Sequence, residues 1–154
     1  MKIIEGQVVR GLGVGKKLGF PTINILYNGD LSGVFAGKVF VGEKPKIITA
    51  QGQEAHACKC GGGCLCSSEQ NKNGFLSAIH IGKRPTLNVE EPILEAYIIE
   101  GFEKFEEKDI SGRKIKVEIF EKIRDTKKFE NLDGLKKQIA KDVKDVGYFF
   151  KKNT

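Results

Sequence analysis

The residues of this 154-residue chain best equipped for chemistry lie between Gly11 and Asn24, in the run Gly-Leu-Gly-Val-Gly-Lys-Lys-Leu-Gly-Phe-Pro-Thr-Ile-Asn. Glycines at 11, 13, 15 and 19 let the backbone approach a ligand closely, and Lys16 and Lys17 stand inside that arc. Beyond Pro21, Thr22 and Asn24 are two residues apart. In an extended segment such a pair shares one face. A hydroxyl and a carboxamide oxygen side by side suit a small hard cation, and Mg²⁺ prefers oxygen ligands with phosphates completing its shell. The combination is what a Mg-nucleotide polyphosphate requires. A glycine-rich hairpin with solvated lysines is the alternative the spacing leaves open. The run is not a GxxxxGK[ST] phosphate loop, and Pro21 with the β-branched residues after it argues against the helix that a dinucleotide fingerprint would open.

Three further groups bear on chemistry. Glu95 interrupts the apolar run Ile93-Leu94-Glu95-Ala96-Tyr97-Ile98-Ile99. It either faces solvent or sits in a pocket of low dielectric, where it could take a proton from an alcohol; periodicity does not decide, and Glu90, Glu91 and Glu100 read as ordinary surface charges. Arg124 and Phe129, presented after the last strand, could grip a planar ring by hydrogen bonds and stacking, or could be a salt-bridged arginine and a core aromatic. Cys58, Cys60, Cys64 and Cys66 form Cys-x-Cys-Gly-Gly-Gly-Cys-x-Cys behind His56. The spacing differs from the Cys-x-x-Cys pairs of structural zinc sites. Four thiolates on flexible glycines could nonetheless hold Zn²⁺ or another soft metal, or form a redox-labile cluster.

The elements that position these groups are mostly strands. Residues 113–121 alternate cleanly, with Ile115, Val117 and Ile119 on one face. Residues 33–41, 75–81 and 93–99 read as strands, and 3–9 more weakly. A single helix is expected near the C-terminus, where Leu132, Leu135, Ile139, Val143 and Val146 form one apolar stripe. Asn131 is placed to cap it, Asp133 suits its first turn and Gly147 is placed to end it. Many strands followed by one helix make a closed or nearly closed antiparallel barrel with the helix outside. Between about 45 and 74 the pattern collapses into Gln, Gly, Ser, Asn and Lys, which reads as a long inserted loop within one domain spanning 1–154.

Composition narrows the function classes. No apolar run approaches the roughly 20 residues of a membrane span, and the N-terminus has no signal-peptide core. A soluble cytoplasmic protein is therefore expected, and it is taken to be a monomer. The net charge of +6 favours anionic ligands. Lysines are interleaved with acids through 100–145, and ten Phe and three Tyr do not alternate with basic residues as on a stacking platform. Nucleotide phosphates thus fit better than nucleic acid.

Taken in order, these pieces make the chain resemble the riboflavin kinase (flavokinase) family over nearly its whole length. The likeness rests on Gly-Gln-Val-Val-Arg-Gly-Leu-Gly (6–13), Leu-Gly-Phe-Pro-Thr-Ile-Asn (18–24), Gly-Val-Phe-Ala-Gly (33–37), Ile-Gly-Lys-Arg-Pro-Thr (81–86), Leu-Glu-Ala-Tyr-Ile-Ile (94–99), Ile-Arg-Asp-Thr-Lys-Lys-Phe (123–129) and Leu-Lys-Lys-Gln-Ile-Ala-Lys-Asp (135–142). The resemblance implies a mainly β fold, a six-stranded antiparallel Greek-key barrel with a C-terminal helix packed on it. It implies transfer of the ATP γ-phosphate to the 5′-hydroxyl of riboflavin, giving FMN and ADP. Carried over, Thr22 and Asn24 bind Mg²⁺, and Gly11, Lys17 and Gly19 form the flap over the nucleotide phosphates; Gly13, Gly15, Lys16 and Thr22 complete the expected nucleotide-binding set. Glu95 is the catalytic acid-base residue, and Arg124 and Phe129 contact the flavin. Val14 stands where the family often has Arg, and Ser111-Gly112 where a Tyr-Gly pair is common. With no adenylyltransferase segment ahead of the barrel, FAD synthesis is expected to be absent. A flavin-binding module without turnover and an oligonucleotide-binding barrel are the rival readings.

Overall fold

A computed structural model describes residues 1–11, 14–20, 22–42, 47–48, 54–55, 73–84, 89–101 and 110–154. Among the described residues the strands run β1 (Lys2–Val9), β2 (Thr22–Leu26), β3 (Gly33–Val41), β4 (Ile47–Ile48), β5 (Glu54–Ala55), β6 (Phe75–Arg84), β7 (Val89–Ile98) and β8 (Lys114–Arg124). Helices α1 (Val14–Lys17) and α2 (Leu132–Lys152) accompany them among the described residues. Six strands close into a barrel in the order β1-β2-β7-β6-β3-β8, and every neighbouring pair is antiparallel. β3, β6 and β7 form a meander, and β8 returns to lie beside β3, which is the Greek-key order. β4 and β5 make a small separate ribbon inside the expected inserted loop.

Alternation fills the barrel. Ile23 and Ile25 of β2, Ile79 and Ile81 of β6, Leu94, Ala96 and Ile98 of β7, and Ile115, Val117 and Ile119 of β8 converge on one interior cluster. Closure leaves no open sheet edge among these six strands, so the expected face of 113–121 is buried as read. β3 departs from simple alternation, because Gly33 to Gly37 are all buried. The reason is α2, which lies on the outer surface against Ala36 and Ala78, with Val146 fully buried between them. The two alanines let the helix come close, and Tyr97, Ile99, Ile123, Val143, Phe149 and Phe150 extend the patch.

Asn131 caps α2 as expected, its side chain accepting from the Gly134 amide at 2.8 Å. Two expectations need correcting. Leu132 is not part of the buried stripe; it is 63% exposed, since the first turn stands clear of the barrel. Gly147 does not end the helix, which runs on to Lys152. A helical glycine costs only about 1 kcal/mol, and the extra turn docks Phe149 and Phe150, the latter meeting Phe120 edge-on at 5.5 Å. The short helix α1 lies in the glycine arc, for which the sequence offered a phosphate-binding arc or a hairpin, while the strand expected after Pro21 is β2. Among the described residues no helix is long and apolar enough to cross a membrane.

Candidate active site

β2 carries Thr22 and Asn24 on the face opposite Ile23 and Ile25, so the apolar residues anchor the strand while the two oxygen donors turn outward. Outward does not mean exposed. Asn24 retains only 5% of its accessible surface because the chain before it folds back over it. A Cβ built on Gly11 would lie 2.2 Å from Asn24 Nδ2, and one on Gly15 would lie 2.4 Å from Thr22 Cγ2. Any side chain at either glycine would displace the pair beneath. The glycines are thus needed for close approach. At Gly19 the requirement is conformational, since its φ of 84° ends α1 in the left-handed region. The Phe20 amide donates to the Gly15 carbonyl at 2.8 Å and closes the turn, with Lys16 and Lys17 exposed on its rim.

Strand register then brings Glu95 in. In the β2–β7 ladder Asn24 stands directly opposite Glu95, and Thr22 opposite Tyr97. Directly opposed residues share a face with Cβ atoms about 5 Å apart. On the far side of Glu95 the β6–β7 register places His80, whose Nδ1 lies 3.6 Å from Glu95 Oε2. The Glu95 side chain is 18% exposed, neither fully solvated nor enclosed. One transverse row across the outer surface of the barrel therefore reads Asn24, Glu95, His80, Val34, Arg124.

Arg124, the last residue of β8, is already engaged. Its Nε and Nη2 donate to the two oxygens of Asp142 on α2 at 2.7 and 2.6 Å, and Nη1 donates to the Asp125 carbonyl at 2.9 Å. Asp142 is buried and also accepts from Gln138 at 2.9 Å. Phe129 is half-buried at the start of α2, its Cδ1 3.7 Å from where a Gly134 Cβ would stand. Between these two, Thr126 meets Ser32 at 3.3 Å and borders a cleft of about 430 Å³ whose wall includes Gly82, Pro92 and Lys128. Lys122 pairs with Asp125 at 2.5 Å and holds that carboxyl below its ordinary range. A second cavity, about 460 Å³, opens on the β1–β8–β3 side between Glu5, Phe40 and Lys116, and none of the expected site residues lines it.

The structure thus brings together Gly11, Gly15, Thr22, Asn24 and Glu95, and sets Arg124 and Phe129 at the end of the same surface nearest α2. Gly13 and the cysteines at 58, 60, 64 and 66 lie outside the described residues, as does most of the inserted loop. His80 and Asp142 were not singled out by sequence reasoning. His80 carried a signal, an outward position in an alternating strand, but only the register reveals its partner. A hydroxyl and a carboxamide under a glycine roof form a donor set of hard oxygens that fits Mg²⁺; among the described residues no cluster of three or more His, Cys, Asp or Glu side chains could hold a metal ion.

Comparison with known proteins identifies the family. The flavokinase (riboflavin kinase) family model matches residues 2–150. The RNA-binding riboflavin kinase RibR of Bacillus subtilis is 30% identical over 153 residues, 97% of this chain and 52% of its own length. The bifunctional riboflavin kinase/FMN adenylyltransferase of Escherichia coli strain K12 is 31% identical over 151 residues, 96% of this chain and 37% of its own. The chain therefore spans about half or less of these relatives. Among solved structures, riboflavin kinase from Trypanosoma brucei superposes with a TM-score of 0.53 at 21% identity, covering 97% of this chain and 80% of that one. A macrolide-efflux protein from Streptococcus pneumoniae gives 0.58 at 24% identity over 91% of this chain and 36% of that one. At those identities the likeness is one of fold.

Proposed function

From the premise that this chain belongs to the flavokinase family, we propose that it is an ATP:riboflavin 5′-phosphotransferase, converting riboflavin and MgATP to FMN and ADP. The observation that carries the reading is the cross-strand pairing of Glu95 with the glycine-roofed Asn24. The riboflavin 5′-oxygen attacks the γ-phosphorus, a new P–O bond forms, and the bond to the β,γ-bridging oxygen breaks so that ADP leaves. The hydroxyl proton passes to the Glu95 carboxylate, acting as general base. Thr22 and Asn24 would hold Mg²⁺, which when bound neutralises charge on the phosphate oxygens. Gly11 and Gly15 allow the backbone over these residues to pack closely, while Lys16 and Lys17 offer positive charge on the rim. Arg124 and Phe129 bound the flavin side, with Arg124 fixed through Asp142.

Catalysis here is mainly positioning and charge neutralisation, since phosphoryl transfer asks for little covalent chemistry from the protein. Glu95→Gln is expected to bind riboflavin normally and to lose about 10²–10⁴-fold in kcat, the usual contribution of a positioned base. Flavin fluorescence quenching and steady-state FMN formation measure the two quantities separately. Wild-type kcat in that variant would end the base assignment. A zinc ion at Cys58, Cys60, Cys64 and Cys66 is a separate proposal with no part in this reaction, resting on the thiolate cluster alone. Elemental analysis of untagged protein, before and after Cys→Ser replacement of all four, tests it.

A further inference from the structure

His80 stands directly beside the carboxylate proposed above as the base. It lies on the outer face of β6, opposite Glu95 on β7 and opposite Val34 on β3. Its ring is 24% exposed, and its Nδ1 edge faces Glu95 Oε2 at 3.6 Å, within ion-pair range but longer than a hydrogen bond. The position is enclosed along β6 as well. Ala78, two residues before it on the same face, lies under α2, and Gly82, two residues after it, opens onto the cleft beside Thr126. A Cβ at Gly82 would stand 3.2 Å from His80 Cε1 and 3.3 Å from Nε2. The missing side chain at 82 is what leaves the imidazole room.

We propose that His80 is a positioning residue for Glu95. Contact at Oε2 restrains rotation of the carboxylate about its terminal bond, and so sets the direction in which Oε1 points. That direction decides whether the base lies within reach of the hydroxyl proton, a geometric requirement that precedes any matter of basicity. A loose contact in the substrate-free protein is what such a pair shows before substrate tightens it. A cross-strand pair that only stabilises the sheet is worth about 0.2–1 kcal/mol and would act on melting temperature alone. A positioning pair acts on kcat. The proposal rests on Glu95 being the base, and the test separates the two.

The experiment is steady-state FMN formation by the full chain carrying His80→Ala, His80→Gln, Glu95→Gln, or His80→Ala with Glu95→Gln, with melting temperatures measured in parallel. His80→Ala is expected to lose about tenfold in kcat, since small misplacements of reacting groups cost up to about 10²-fold, with KM for riboflavin and for MgATP within about twofold of wild type. His80→Gln, whose carboxamide can still donate to Oε2, is expected to recover at least a third of the lost rate. The double variant is expected to be no slower than Glu95→Gln, because orientation is worthless once the base is gone. Unchanged kcat in His80→Ala, failure of the Gln variant to recover rate, or additive losses in the double variant would each overturn the proposal. Wild-type kcat in Glu95→Gln would instead overturn the reading of Glu95 on which it stands.

Discussion

Removing the Asp142 carboxylate is the most informative perturbation of the scaffold, because it separates two roles for Arg124. Asp142 accepts three hydrogen bonds, two from the guanidinium and one from Gln138. Replacement by Ala deletes all three and leaves Arg124, only 22% exposed, facing a hole beside α2. Breaking a buried pair from one side costs about 3–5 kcal/mol. Arg124 keeps its bond to the Asp125 carbonyl and some water, so about 2–3 kcal/mol is the better expectation. At about 2–4 °C per kcal/mol for a chain of this size, the melting temperature should fall by roughly 4–12 °C. Arg124→Ala should fall by a similar amount, and the double replacement by little more than either, because both delete the same contact. Thermal unfolding followed by far-ultraviolet circular dichroism, with flavin titration at 25 °C, measures both properties. If Arg124 touches the flavin as well as fastening the helix, Arg124→Ala weakens flavin binding more than Asp142→Ala does. A melting temperature within 2 °C of wild type in both single variants would refute the clamp.

Gly11→Ala is expected to raise the Mg²⁺ concentration needed for half-maximal rate by about 10–100-fold, since its Cβ would stand 2.2 Å from Asn24 Nδ2 and must shift the carboxamide. Flavin affinity should stay within twofold, and an unchanged Mg²⁺ profile would show that Asn24 is no ligand. Gly147→Ala should stabilise the protein by about 0.5–1 kcal/mol, because the residue is helical and a Cβ there meets nothing within 4 Å. A lowered melting temperature would contradict that packing. Asp125 should titrate below the usual aspartate range because of Lys122. Its folded value is depressed, so the small stabilisation is complete above the unfolded-state value and disappears as pH falls through the folded one. Carboxyl NMR should show the midpoint rising in Lys122→Gln and in high salt, and an unmoved midpoint would exclude the pair in solution.

The barrel was legible because its strands satisfy two demands with one pattern. Ile115, Val117 and Ile119 alternate with charged residues on β8, and the alternation survives into the structure because one face is core and the other largely solvent. Where a second layer covers the outside, the pattern fails. β3 is buried on both faces around Ala36, so its sequence announces a strand but not which side is in. The end of α2 was misjudged for a related reason. Gly147 is a local stop signal, and Phe149 and Phe150 outweigh it through contacts with strands more than twenty residues away in sequence.

The site was legible as residue types and illegible as an arrangement. Thr22 and Asn24 declare themselves by spacing on one strand, whereas Glu95 joins them only through a ladder between segments seventy positions apart. β7 offers no help from its own pattern. Ile93, Tyr97 and Ile99 are apolar on the same side as Glu95, just as Leu94, Ala96 and Ile98 are on the other. A slip of one residue in pairing would have turned Glu95 into the barrel interior. What prevents the slip also sets the surroundings of the proposed base. Tyr97 and Ile99 belong under α2, and the loop carrying Gly11 covers Asn24 on the neighbouring strand. Glu95 lies at the seam between those two covers, shielded from both sides yet still 18% accessible. A carboxylate on a plainly polar face would be fully solvated and one in the core would be desolvated on every side; the seam is the place on this barrel that suits the proposed base, flanked by both covers yet still open to an approaching group.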